Sequence, residues 1–140
     1  MRLSKPRIEP VDLDRLDADQ RAALSPFLDN GGGKVGGGKV LNIFRTLAHA
    51  PKALTAFLGW GSYILSRRNA LSERDRELVI LRTGYNCRSG YEWTQHKRIG
   101  LDIGLTEDEI ERIKAGPDAA GWNDIDRAML RATDDLTSTH

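Results

Sequence analysis

Disulfides, a surplus of one charge and a long apolar run are all missing from this sequence. Its 140 residues hold one cysteine, Cys87. No disulfide can form within the chain, and a lone thiol fits a reducing compartment such as the cytoplasm. Lys and Arg total 21 against 20 Asp and Glu, for a net charge of +1. Nucleic-acid binding normally needs clustered positive charge, which this balance argues against. No apolar run reaches the length of a bilayer crossing, and the stretch from Met1 to Val11 lacks the apolar core of a secretory signal. No segment sustains the two-residue alternation of a half-buried strand. The expectation is an all-α cytoplasmic chain with neither nucleic-acid nor membrane partners.

What is present reads as an ordinary globular chain, with 39% hydrophobic and 29% charged residues and a length that suits one core. Pro6 and Pro10 mark an extended arm. Asp17 and Gln20 have capping spacing before a short helix that should stop near Pro26, whose ring disfavours helix at Ser25. Six glycines then fall within the eight residues from Gly31 to Gly38, interrupted by Lys34 and Val35. Their backbone entropy is too costly for a helix, so this segment reads as a mobile loop. It fits a phosphate-loop pattern up to Lys39, but Val40 follows where a magnesium-binding Ser or Thr would stand, so a connector is the better reading.

Helical spacing begins at Leu41. Ile43, Phe44 and Leu47 share one side of a short helix. Pro51 suits the first position of the next, which should bury Leu54, Phe57, Leu58 and Leu65. Ser72 and Asp75 cap a helix running to Cys87, and a turn at Ser89-Gly90 leads into another carrying Tyr91 to Ile99. Thr106 and Glu109 form a capping box for a helix stopped by Gly116-Pro117. Asn123 and Asp126 open the last, through Ile125, Met129, Leu130 and Leu136. We expect residues 1–40 to form the arm, short helix and glycine-rich loop, and 41–140 the helical domain. No breaker or polar tail precedes His140, so further sequence is expected beyond it.

Glu92 and His96 lie four apart on one helix face, and Glu77 lies on the preceding helix. A short turn would fold the two helices together, with Cys87 at the junction. A carboxylate, an imidazole and a thiol could converge there for proton transfer near neutral pH. The plainer reading of Glu92 and His96 is a solvated surface pair. Glu77, Glu92 and His96 make a poor metal site, since the histidine lacks a second imidazole or thiolate companion, and no metal is expected. Trp60 reads as packing, Trp93 as core or subunit contact beside the site, Trp122 as a helix-entry contact and His49 as a helix-end residue. Cys87 reads more readily as a small buried residue than as a nucleophile.

The residues from Leu78 to Arg82, then Asn86-Cys87-Arg88 and Tyr91-Glu92-Trp93-Thr94-Gln95-His96, resemble the carboxymuconolactone decarboxylase signature. The upstream run from Asn42 to Pro51 resembles the same family. The resemblance implies a compact helical bundle of the alkylhydroperoxidase D-like type, assembled as trimers or hexamers. It also implies cofactor-independent loss of carbon dioxide from a carboxylated lactone or related small acid, in the breakdown of aromatic compounds. In that reading His96, Glu77, Glu92 and Cys87 form the catalytic set. Arg45 or Arg82 would hold the substrate carboxylate beside Trp93. The thiol peroxidases of the superfamily need a Cys-x-x-Cys pair, and the matching positions here are Ser89 and Glu92. That departure argues against a thiol-dependent oxidoreductase. A non-catalytic oligomeric module is the remaining alternative.

Overall fold

A computed structural model describes residues 5–28, 40–66 and 68–138. The glycine-rich repeat and His140 lie outside these described residues. Within them every regular element is helical: a 3-10 turn at Leu13–Arg15, then α1 (Ala18–Leu28), α2 (Asn42–Leu47), α3 (Pro51–Ile64), α4 (Glu73–Asn86), α5 (Gly90–Asp102), α6 (Glu107–Ala115) and α7 (Asp124–Ser138). None is long and apolar enough to cross a membrane. The described residues up to Ser66 form one compact unit and those from Arg68 onward a second.

The first unit closes over Val11, Leu24, Ala48 and Leu54, with Phe27 and Phe44 stacked at 4.2 Å between centroids. The arm is tied to α2 in both directions. The Val11 amide donates to the Arg45 carbonyl at 3.2 Å, and Arg45 Nε donates to the Val11 carbonyl at 3.0 Å. Asp17 and Gln20 cap α1 reciprocally, at 2.8 and 3.2 Å. The helix nevertheless runs past Pro26 to Leu28, correcting the expected stop. Pro26 has no amide hydrogen for the Ala22 carbonyl, and the Ser25 hydroxyl donates to that carbonyl instead, at 2.9 Å. Leu54 is buried and Leu58 half-buried, but Phe57 and Leu65 are exposed, against expectation. Apolar residues surround much of α3, while α1 and α2 cover a single stripe of it. His49 does more than end a helix: its Nε2 lies 2.8 Å from the Glu9 carbonyl.

In the second unit α4 packs against α5, α6 and α7. Its caps are those the side chains dictate. Ser72 Oγ accepts from the Asp75 amide at 3.1 Å, and Thr106 and Glu109 form a complete capping box. Asn123 Oδ1 accepts from the Asp126 amide at 2.8 Å. Leu78, Leu81, Ile110, Ile113 and Leu130 are fully buried, each contributing on the order of 2 kcal/mol. Trp122 completes this core, its indole N–H donating to the Gly116 carbonyl at 3.1 Å. Ile125 and Leu136 are exposed. The buried stripe of α7 is Asp126, Leu130 and Thr133, spaced four and three apart, which puts Ile125 and Leu136 about a quarter turn away, on the flank of the helix.

Asp126 occupies a core position because Arg74 meets it. The guanidinium donates to both Asp126 oxygens, at 2.8 and 3.0 Å, and to Glu109 at 2.6 Å. Two turns further along α4, Arg82 repeats the device. It donates to both Asp134 oxygens at 2.6 and 2.8 Å, and to the carbonyls of Ile113 and Lys114 at 2.8 and 3.0 Å. Each partner lies eight residues beyond the last on its own helix, so α4 and α7 run parallel. The Arg82 hydrogen bond holds the Asp134 carboxyl below its ordinary range, and Asn86 adds to the effect. Burial opposes the charge on Glu109, but Arg74 and the Thr106 amide outweigh it and its carboxyl is also lowered.

A depressed native carboxyl stabilises the fold above its unfolded-state value and loses that contribution as pH falls through the native one. Asp134→Asn should therefore cost about 1.5 kcal/mol at neutral pH, at the lower end for a charged hydrogen bond because the side chain is 27% exposed. Urea unfolding at several pH values should show the difference from wild type narrowing below about pH 4. A difference that stays constant down to pH 2 would contradict this assignment.

Candidate active site

Glu77 and Gly84 are seven residues apart on the side of α4 that meets α5. A side-chain carbon at Gly84 would lie 3.6 Å from Glu92 Cβ and from the Trp93 amide nitrogen. The helices therefore approach closely and antiparallel, bringing Glu77 opposite His96. Glu77 Oε2 and His96 Nδ1 are 2.6 Å apart. With the carboxyl ionised, Nδ1 carries the proton and donates, leaving Nε2 as the ring atom free for chemistry. Glu92, one turn before His96, places Oε2 3.5 Å from Nε2.

Side-chain exposure rises along this series, from 2% at Glu77 through 14% at His96 to 39% at Glu92. A buried carboxylate is costly unless it is paired, so the imidazole and Glu77 fix each other's orientation. The outer carboxylate reaches solvent. The arrangement can hold a proton on the imidazole, stabilise the resulting cation from both sides and exchange that proton with water. Among the described residues no group of three or more His, Cys, Asp or Glu is arranged to hold a metal ion.

The other expected site residues go elsewhere. Cys87 is the C-cap of α4 and is exposed rather than buried. It ends a helix at a surface bend, where no core reaches it. The Arg82 guanidinium is engaged by Asp134 and the last carbonyls of α6. Arg45 belongs to the first unit, where it donates to the Val11 carbonyl and, at 3.3 Å, to Asn42 Oδ1. Trp93 packs on the core, with the Tyr85 ring 5.8 Å away and Lys114 Nζ 5.3 Å from its centroid. Its outer edge lines a surface depression at the α4–α5 bend.

Tyr85, Arg88 and Lys114 surround that depression too; sequence reasoning placed Arg88 in the signature run but gave none of the three a site role. One signal was available for Arg88. The residue after a helix C-cap is commonly a left-handed glycine, and Arg88 stands there with φ 55°. The Ser89 amide donates to the Gly84 carbonyl at 2.8 Å and the Arg88 amide to that of Tyr85 at 3.0 Å, the paired bonds of a Schellman ending.

The family model described as the carboxymuconolactone decarboxylase family matches residues 51–135, more than half of the chain. No curated protein and no solved structure matches it.

The exposure of Cys87 predicts that one thiol per chain reacts with a small aromatic disulfide reagent in native buffer. The rate should lie within about tenfold of that of the unfolded chain. A thiol that reacts only after denaturation would show that Cys87 is covered in solution.

Proposed function

The chain belongs to the carboxymuconolactone decarboxylase family, and on that footing we propose that it is a cofactor-independent carboxy-lyase acting on a small carboxylated lactone or related acid. The observation that carries this reading is the 2.6 Å contact between buried Glu77 and His96. It presents one imidazole nitrogen, with a second carboxylate beside it, to whatever occupies the site.

The chemistry follows from where the electrons go. The bond between the ring carbon and the carboxylate breaks, and carbon dioxide leaves. The bonding pair passes through the conjugated ring onto the lactone carbonyl oxygen, giving a dienolate. That oxygen is the electron acceptor, so the reaction itself calls for no metal or organic cofactor. His96, protonated at Nε2, then delivers a proton to the ring carbon. One carboxylate and one proton enter; carbon dioxide and a neutral lactone leave. Glu77 orients the ring and stabilises its cationic form before transfer, and Glu92 returns a proton from solvent afterwards.

The single cysteine disfavours the thiol-peroxidase alternative, since a redox cycle that closes through a disulfide needs a second thiol. Assembly of several copies is also part of this proposal. Its support is the exposed apolar side of α3, where Phe57, Trp60 and Tyr63 follow one another three residues apart.

Carbon dioxide release from a carboxylated butenolide tests the reading. His96→Gln should lower turnover at least ~100-fold with the fold intact, and Glu77→Gln should lower it by about tenfold or more. Turnover unchanged in His96→Gln would refute the assignment. Hydrogen peroxide consumption abolished by Cys87→Ser would select the oxidoreductase instead.

A further inference from the structure

The depression at the α4–α5 bend lies wholly within the second unit and includes none of Glu77, Glu92 or His96 in its lining. It is open to solvent and measures about 630 Å³, within the range of small-molecule sites. Its apolar walls are Tyr85 and Trp93, tilted 58° to each other. Both rings are braced from within the unit. The Arg82 guanidinium carbon lies 5.8 Å from the Tyr85 centroid, and Trp93 sits on the core under Lys114.

The polar lining is cationic. Arg88 and Lys114 border the depression, and no carboxylate does. Lys114 is balanced by Glu111, at 2.7 and 2.8 Å. Among the described residues Arg88 has no ion-pair or hydrogen-bond partner for its guanidinium, and the Ser89 hydroxyl beside it has none either. Arg88 also holds the left-handed conformation that glycine adopts without strain. A strained position occupied by a long, unpaired cation at the edge of an aromatic-walled depression fits a residue retained for its side chain.

We propose that this depression binds a small planar carboxylate, with its ring against Tyr85 and Trp93 and its charge on Arg88 and the Ser89 hydroxyl. A guanidinium matches a carboxylate through two parallel hydrogen bonds, and the aromatic walls favour a flat ring over an aliphatic acid. The lining shares no residue with the acid–base set, and the proposal does not depend on the proposed reaction.

Benzoate is the probe, followed by two-dimensional amide and indole NMR of the intact chain. Saturable shifts should appear at Ser89, Gly90 and the Trp93 indole. Benzamide, equal in shape but uncharged, and acetate, charged but without a ring, should each bind at least about tenfold more weakly. Arg88→Gly relieves the backbone strain, so its melting temperature should equal or exceed that of wild type while benzoate affinity falls at least about tenfold. Arg88→Lys should lose less. His96→Gln should bind benzoate as wild type does, so a failure of the decarboxylase reading leaves this result untouched. No saturable shift, equal binding of benzamide, or full affinity in Arg88→Gly would overturn the proposal.

Discussion

Two arginines on one helix hold the second unit together. Arg74 and Arg82 lie two turns apart on α4, and each reaches both α6 and α7. Asp126 is almost fully buried, and its charge is tolerated only with Arg74 in place, so α7 is fixed in register as well as direction. A shift of α7 by one turn would strand Asp126, almost fully buried, without its guanidinium. Apolar packing of Leu78, Ile113 and Leu130 supplies the bulk of the burial energy but would accept neighbouring registers more easily. The ion pairs choose among them.

That choice has a consequence for the opposite side of α4. With α6 and α7 held by the arginine face, the face carrying Glu77 and Gly84 is left to α5. The small residue lets the helices close on each other, and the acidic one meets His96. The site is thus built on two rigid helices rather than on a loop, which keeps the imidazole in one orientation. Glu77 sits inside, His96 at the boundary and Glu92 outside, an order that lets charge form on the ring without leaving it unpaired.

Two local rules are broken in this chain, and they are treated differently. Pro26 removes an amide hydrogen inside α1, and Ser25 repairs the loss by donating its hydroxyl to the orphaned carbonyl. Arg88 places a residue with a side chain where glycine would fit without strain, and the two backbone hydrogen bonds of the helix ending are what it gains there. Backbone outliers of the second kind cluster at functional positions, which is what draws attention to the side chain of Arg88.

Helix positions and caps are short-range properties, so residues within four of one another sufficed to place them. Ser72 with Asp75, Thr106 with Glu109 and Asn123 with Asp126 marked helix starts, and the four-residue spacing of Glu92 and His96 put them on one face. The meeting of Glu77 with His96 was anticipated from a short turn between adjacent helices, again a near-neighbour inference. Which side of α3 is covered was misread at Phe57 and Leu65, because periodicity marks an apolar stripe without saying how much of it a neighbour can bury. The fate of Arg82 was decided only in three dimensions. A long guanidinium can serve a ligand or an internal carboxylate equally well, and its acidic partner, Asp134, is 52 residues away along the chain. Spacing rules govern contacts within one helix; pairings between distant helices are set by packing, and there the tertiary structure alone decided.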